Sequence, residues 1–354
     1  MPQDILIEKL KYLGFDDLAI EWFRQYFKLR KQVTTVNGNS SPVTLIESGV
    51  PQGSILGPLL FILMLNDLPE VVKQCKVSLY ADDTCLYFPA KDPNILESII
   101  NTELSSLSDW FFHNHLLLNV KKCNFMLIGK KAKLRHFDSV KININGTRLG
   151  RVTECKYLGV TLDENLSWKA HINQVRNKSL GSLYLLKRSR SFIDEKTALL
   201  LYKTIIQSHF DYCSITWMNG NLCDLQRLQT LQNRALRVVL GVDAQYNREA
   251  LYNTLKIDRL NERWKKQAVT QIHKAIYNLL PESLCSRIAL REKYYNVRNN
   301  DTIVSLPKPR TNILKRSPFY SASKLFNKLP QNIRIIDNIR SFTKAIQKVN
   351  FNIL

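Results

Sequence analysis

The sequence predicts an α+β chain in which a mixed N-terminal part gives way to a helical C-terminal part. Three observations carry that prediction. Short alternating runs bracket two Asn-Gly pairs in the first half, helical apolar periods lie on either side of them, and from about Trp168 onward the strand signals nearly vanish. Charge changes at the same place. Residues 1–165 hold 19 Lys and Arg against 18 Asp and Glu, whereas residues 166–354 hold 32 against 12. A boundary is therefore expected near 165–168 and a softer one at 241–243, giving segments 1–165, 166–242 and 243–354.

Along the chain, Leu6, Leu10, Leu13 and residues 18–27 keep a helical period broken at Gly14. Residues 33–36 and 43–48 alternate around Asn37-Gly38, a strong hairpin signal. Pro51-Gln52-Gly53-Ser54 punctuates the chain before a helix reaching about residue 65, with Ser54 as N-cap and Pro69 as terminator. Residues 77–80 and 84–88 read as strands around a tight turn at Ala81-Asp82-Asp83. Residues 93–113 form an amphipathic helix closed by the polar turn His113-Asn114-His115, with Trp110, Phe111 and Phe112 expected in the core. Residues 125–128 read as a strand, 142–144 and 147–149 as a hairpin around Asn145-Gly146, and 155–162 as one further strand. Helical periods follow at 199–206, 222–240, 249–255, 259–280 and 341–350. The Pro/Asn/basic stretch 296–318 reads as extended or partly disordered.

Composition narrows the function. The net charge of +21 sits almost wholly in the C-terminal half. So one-sided an excess points to a polyanionic partner, nucleic acid before an anionic membrane surface or a merely solubilising face. The seven cysteines are scattered, with no C-x-x-C pair and no zinc spacing, as expected of free thiols in a reducing compartment. The longest apolar run is too short to span a bilayer, and the first residues lack a secretory pattern. The expectation is an intracellular protein, nuclear or cytoplasmic, with no membrane partner; the sequence sets no oligomeric state.

The chemistry gathers in two segments. Tyr80-Ala81-Asp82-Asp83 puts adjacent carboxylates at a turn, the place where neighbouring residues can serve one site. Two such groups invite a hard divalent cation, whose remaining positions take phosphate oxygens. Alone, an Asp-Asp turn is as easily an ordinary surface turn. Upstream, Gly49-Val50-Pro51-Gln52-Gly53-Ser54 brings backbone N–H groups and one amide to a helix start, which suits phosphate or a templating strand, or is a simple capping turn. The two together, in this order and spacing, are far harder to obtain by chance.

Gly49-Val50-Pro51-Gln52-Gly53-Ser54 through Phe61, followed by Tyr80-Ala81-Asp82-Asp83, resembles the reverse transcriptases of non-LTR, LINE-type retrotransposons, most closely the jockey-like branch. The similarity continues in Asn66-Asp67-Leu68-Pro69, in Leu118-Asn119-Val120-Lys121-Lys122, in Lys156-Tyr157-Leu158-Gly159-Val160, and in the tail at Arg298-Asn299, Pro309-Arg310-Thr311 and Asn327-Lys328-Leu329-Pro330. The resemblance implies a palm fragment of antiparallel sheet and helices, an all-helical thumb over 166–242, and a basic C-terminal region. It implies RNA-directed DNA polymerisation with Mg²⁺ or Mn²⁺, on an RNA template, a DNA primer and deoxynucleoside triphosphates.

Residue by residue, the same resemblance makes Asp82 and Asp83 metal ligands and sets Tyr80 and Ala81 against the nucleotide and primer end. Gln52, Gly53 and Ser54 would line the template and nucleotide site. Lys122, with Lys121 as the alternative register, would protonate the leaving pyrophosphate. Tyr157, Leu158 and Gly159 would form the primer grip. On the helical part, Lys187, Arg188 and Arg190, together with Arg227, Arg234 and Arg237 near one helix face, are the candidate phosphate contacts; a solvated face is the plain alternative. Arg263–Lys266 and 308–316 add basic clusters that could equally act in nuclear import.

The resemblance also implies one more aspartate, before the first palm helix. Asp4 comes several positions too late for it, and Asp16 and Asp17 fall at a helix break. No fingers, endonuclease or zinc knuckle is recognised. The expectation is a truncated polymerase, inactive alone, with a non-catalytic nucleic-acid-binding remnant of a retroelement as the rival.

Overall fold

The structure, a computed structural model, describes residues 1–46, 48–51, 53–291 and 303–351. It divides into Met1–Val152 and Thr153–Leu354. Gln52, Arg298-Asn299 and part of the 296–318 stretch lie outside the described residues.

In the first unit, α1 (Gln3–Tyr12) and α2 (Asp17–Phe27) pack through Leu6, Leu10, Ile20 and Phe27. Gly14, at φ 88°, reverses the chain between them, and the Asp16 carboxylate caps α2 by accepting the Ala19 N–H. Strand β1 (Lys31–Gln32) pairs with β4 (Thr44–Leu45), and inside that pair β2 (Thr35–Val36) meets β3 (Asn39–Ser40). Asn37 and Gly38 both have positive φ, as a two-residue type I′ turn demands.

Next come α3 (Leu56–Met64) and the short α4 (Leu68–Val71). Pro69 does not end a helix as expected; it sits in the first turn of α4, where a missing N–H costs nothing. Strands β5 (Lys76–Tyr80) and β6 (Asp83–Tyr87) form an antiparallel hairpin, followed by the long α5 (Pro93–His113) capped by Asp92. Of the three aromatic residues expected in the core, Trp110 is buried and Phe111 packs against it, but Phe112 is exposed. Beyond α5 lie β7 (Asn124–Phe125), α6 (Lys131–Leu134), the hairpin of β8 (Asn143–Ile144) and β9 (Thr147–Arg148) around Asn145-Gly146, and β10 (Gly150–Arg151) parallel to β7. Among the described residues every sheet has two strands, so this is a fold of helices and small sheets.

The second unit opens on β11 (Glu154–Tyr157) and β12 (Val160–Asp163). Residues 155–162 are therefore not one strand: the chain reverses at Leu158-Gly159, both at positive φ. Helices then dominate: α7 (Lys169–Ser189), α8 (Glu195–Leu201) continuing into a π turn at Tyr202–Gln207, α9 (Ser208–Asp211), α10 (Ser214–Trp217), α11 (Leu222–Leu240), α12 (Arg248–Leu255) and α13 (Leu260–Ile276). The remainder holds α14 (Glu282–Cys285), α15 (Asn312–Arg316), α16 (Pro318–Asn327), α17 (Gln331–Arg334) and α18 (Ile339–Gln347). The 296–318 stretch, expected to be extended, thus contains α15, started by the Thr311 hydroxyl accepting the Leu314 N–H.

One apolar core runs from Ile172 to Phe351 and includes Tyr202, Trp217, Trp264, Phe326 and Phe342. Segments on both sides of residue 241 share it. Gly241 itself is the C-cap of α11, at φ 72°, its N–H donating to the Arg237 carbonyl. The break expected at 241–243 is a helix end inside one unit, and the division of the chain falls before the β11–β12 hairpin rather than after it.

Candidate functional site

The β5–β6 hairpin is built to present its tip. Its register pairs Val77 with Leu86, Leu79 with Thr84 and Tyr80 with Asp83. Alternation sends Val77, Leu79 and Leu86 to one face, where they pack with Phe61, Leu65, Leu68 and Trp110. Tyr80 and Asp83 therefore share the opposite face, while Asp82 lies in the turn after Ala81, whose φ is 50°. Tyr80, Ala81, Asp82 and Asp83 are all exposed. Neither carboxylate is ion-paired among the described residues.

Two acids hold this frame, Glu103 buried and Asp67 half-buried, and only Asp67 falls in a segment singled out from sequence. Glu103 on α5 accepts the backbone N–H groups of Lys73 and Gln74, fixing the loop that feeds β5. Burial, reinforced by that carboxylate, pushes the neighbouring Cys75 thiol up to about 11. Asp67, from the Asn66-Asp67-Leu68-Pro69 motif, accepts from Lys9 Nζ at 2.6 Å and from Trp110 Nε1 at 3.2 Å, so that motif is a structural tie between α1, α4 and α5.

At the start of α3, Gly53 has φ 79° and is exposed. The Ser54 hydroxyl donates to the Pro51 carbonyl at 2.8 Å and accepts the Gly57 N–H at 3.0 Å; the N-cap of α3 is Ile55, so Ser54 stands one residue before the position expected of it. A Cβ on Gly57 would sit 3.0 Å from that hydroxyl, so the turn tolerates little else. Lys121 and Lys122 are both exposed on the 3₁₀ turn Val120–Lys122, so the structure treats the two registers alike.

In the second unit, Tyr157 and Leu158 are half-buried and Gly159 exposed at the β11–β12 turn. The Tyr212 hydroxyl donates to the Leu158 carbonyl at 2.7 Å, and a Cβ on Gly159 would lie 3.1 Å from the Tyr212 ring. Of the basic candidates, Lys187, Arg188, Arg227 and Arg234 are exposed. Arg190 instead spends its guanidinium on the carbonyls of Val238, Val239 and Ile193, closing the end of α11. Arg237, expected beside Arg234 on one helix face, instead turns inward, its Nη2 donating to the Tyr246 carbonyl at 3.4 Å. Both arginines serve the fold.

Residues 1–162 match the family described as reverse transcriptase (RNA-dependent DNA polymerase). The N-terminal part of the chain is thus similar to the reverse transcriptases of non-LTR retrotransposons. The chain is similar to a probable RNA-directed DNA polymerase from the transposon X-element of Drosophila melanogaster, 26% identical over 66% of this chain and 26% of that protein. It is also similar to the RNA-directed DNA polymerases from mobile element jockey of Drosophila funebris (25% identical, 80% of this chain, 31% of that protein) and of Drosophila melanogaster (24%, 75% and 29%). The chain thus spans roughly a quarter to a third of the length of the curated relatives it matches.

Reverse transcriptases generally use divalent metal ions. At the β5–β6 tip the donors are two exposed carboxylates, Asp82 and Asp83. Such a set suits a single hard ion completed by water and phosphate oxygens. Among the described residues no third His, Cys, Asp or Glu joins them. Likewise, no described helix is long and apolar enough to cross a membrane.

Proposed function

We propose that this chain is the part of an RNA-directed DNA polymerase that holds the carboxylate hairpin, the nucleotide-side turn and the nucleic-acid-binding helices. The reaction is attack of a primer 3′-hydroxyl on the α-phosphate of a deoxynucleoside triphosphate, directed by an RNA template, with pyrophosphate leaving. One observation carries the reading above the rest: Tyr80-Ala81-Asp82-Asp83 stands at a rigidly backed hairpin tip with both carboxylates exposed, inside the residues that match the family.

Asp82 and Asp83 would hold Mg²⁺ or Mn²⁺, which when bound neutralises charge on the reacting phosphate. Tyr80, on the same face as Asp83, offers a flat ring beside Ala81 to the primer end and nucleotide. Gln52, Gly53 and Ser54 line the template and nucleotide site. Lys122, or Lys121, carries the proton for the leaving pyrophosphate. The turn at Tyr157, Leu158 and Gly159 grips the primer. Lys187, Arg188, Arg227 and Arg234 meet backbone phosphates in a helical thumb that follows a palm fragment, with 243–354 as a basic extension. The setting is intracellular, nuclear or cytoplasmic.

Only two carboxylates are at hand among the described residues, so a second metal position lacks ligands. Extension by this chain alone is therefore expected to fall orders of magnitude below that of a complete polymerase. Primer extension on an RNA template, with Mg²⁺ and separately with Mn²⁺, measures this. Salt-dependent binding with trace cDNA is the expected outcome; robust synthesis would overturn the incomplete-site part of the reading. A second reading, non-catalytic nucleic-acid binding by a retroelement remnant, is favoured by the charge of the helical part. Mn²⁺ titration separates the two: weak binding abolished by Asp82→Asn with Asp83→Asn supports the polymerase site, and no Mn²⁺ binding by the parent supports the remnant.

A further inference from the structure

Within the first unit the charges are segregated by segment. Residues 1–113 hold 9 Lys and Arg against 14 Asp and Glu, whereas residues 114–152 hold 9 against 1. The small net charge of this unit therefore hides a strongly basic lobe. The lobe has a core of its own, in which Leu127, Leu134, Val140, Ile142 and Ile144 pack with Leu96 of α5. Its single acid, Asp138, is paired with Arg151.

The charge is densest at α6 and its flanks. Lys130, Lys131, Lys133 and Arg135 fall within one short stretch, and all four are exposed. None of the four has an ion pair or a side-chain hydrogen bond among the described residues. Lys141 is set apart from them, because Glu97 on α5 accepts its backbone N–H at 2.8 Å. The fold fixes the stretch in place. The Lys130 carbonyl accepts the Lys133 and Leu134 N–H groups at 2.8 and 3.1 Å, closing one helical turn. Leu134 is buried, and a Cβ on Gly129 would lie 3.1 Å from its Cδ2, so this side chain clamps the turn to the lobe.

A merely solvated face mixes both signs of charge. Here like charges repel one another, and a polyanion lowers the energy of all four cations at once. Which polyanion follows from the rings nearby. Between residues 114 and 152 the Phe, Tyr and Trp side chains are Phe125 and Phe137 alone, both half-buried against the lobe's core. Without an exposed ring the lobe offers no stacking platform for unpaired bases. Cations by themselves read a backbone, and a duplex presents two rows of phosphates while keeping its bases inside. A short basic run also suits a nuclear-import receptor. Such a receptor reads its signal extended, whereas this run is folded around the buried Leu134.

We propose that the lobe of residues 114–152 binds the sugar-phosphate backbone of a nucleic-acid duplex through Lys130, Lys131, Lys133 and Arg135. Lys121 and Lys122 stand on the same lobe, since Val120 and Cys123 beside them pack against its core. This assignment rests on the reading of the chain as a nucleic-acid-binding polymerase segment and adds a contact outside the helical part.

The test uses the whole chain and a fluorescent RNA–DNA hybrid of about twenty base pairs, with affinity followed against salt. Changing Lys130, Lys131, Lys133 and Arg135 together to Gln should weaken hybrid binding by about tenfold or more near 0.1 M salt. The slope of log affinity against log salt should fall by about two to three. Single-stranded RNA of the same sequence should lose no more than about threefold. The charge-preserving set, with the three lysines changed to Arg and Arg135 to Lys, should bind like the parent. Thermal melts should coincide, because all four side chains are exposed. In a control of equal charge, Arg24, Lys28, Lys31 and Lys91, exposed in the same unit, are changed to Gln at an expected cost below about threefold. Independently of charge removal, a photoreactive phenylalanine in place of the exposed Ala132 should cross-link to the hybrid. Equal losses in the two Gln sets, or no loss in the first, would overturn the lobe while leaving nucleic-acid binding by the chain intact. An equal loss on single-stranded RNA would overturn the duplex. Unchanged hybrid binding with lost nuclear accumulation of a fluorescent fusion would make the run an import signal instead. Failure of the parent to bind any nucleic acid would overturn the broader reading as well.

Discussion

Leu158 and Gly159 make a turn that strains only the first of them. Leu158 is held at φ 44°, a region unfavourable for a branched side chain, and Gly159 at φ 80°. Tyr212, 54 residues along the chain, supplies the compensation by donating its hydroxyl to the Leu158 carbonyl and laying its ring where a Gly159 side chain would be. Tyr212 is thereby a positioning residue for the proposed primer grip. Its hydrogen bond is partly exposed, so Tyr212→Phe should cost roughly 0.5–1 kcal/mol. Gly159→Ala should cost about 1–2 kcal/mol through backbone strain and ring clash combined. In a Tyr212→Ala background the clash disappears, so the second substitution should cost measurably less there. Urea denaturation of the four variants checks this; strict additivity would mean that the ring does not shape the turn.

Elements in this protein begin and end on side chains that sequence patterning only partly reveals. The Asn-Gly hairpins were legible because their information is local: both residues tolerate positive φ, and the strands beside them alternate. The lead-in to α7 was not legible. There the nearly buried Asp163 carboxylate accepts from the backbone N–H groups of Asn165, Ser167 and Trp168 and from the Ser167 hydroxyl. It thereby holds Trp168 at φ 67° as the helix starts. Asp163→Ala strips those donors of their acceptor and should destabilise the unit by about 2–3 kcal/mol, more than the loss of a single exposed N-cap. Asp163→Asn, which keeps one acceptor oxygen, should fall between. Amide exchange at Trp168 reports the local effect; unchanged protection in the Ala variant would rule out this role. Arg190 acts similarly at the far end of α11, which explains why a basic cluster that looked displayed is partly structural.

At the scale of the molecule, burial of histidines makes the second unit sensitive to acid. His273 is fully buried, its Nε2–H donating to the Ile336 carbonyl at 2.6 Å and its ring stacked on Phe342, while Nδ1 has no partner. His171 is buried against Trp217, its Nδ1 accepting the Thr161 N–H and its Nε2 left without one. Burial pushes both below the ordinary histidine range, helped for His171 by Lys178, while for His273 the Ile336 carbonyl and Asp337 oppose the fall. A folded-state value below the unfolded one means that the unfolded chain binds protons first. Stability should therefore be flat above about pH 6.5 and decline as pH falls through that value toward the lowered folded-state pKa values. Denaturant midpoints at pH 7.5 and pH 5 test the sign, and a rise on acidification would contradict it. Much of the candidate site could be read from the chain: the carboxylate turn, the Gly-rich helix start, the asymmetric charge and the α+β class are local patterns in composition and period. The bonds that support it could not, because Glu103 and Tyr212 act on backbone groups, and Asp67 on the side chains of Lys9 and Trp110, all 30 or more residues away. By itself the sequence determined which residues stand at the hairpin tip and that the positive charge lies C-terminal. Only the tertiary structure decided which of those charges are spent on the fold, as Arg190 and Arg237 are. The reason is physical: a side chain's partner is set by packing in three dimensions, and spacing along a helix or strand constrains only its immediate neighbours.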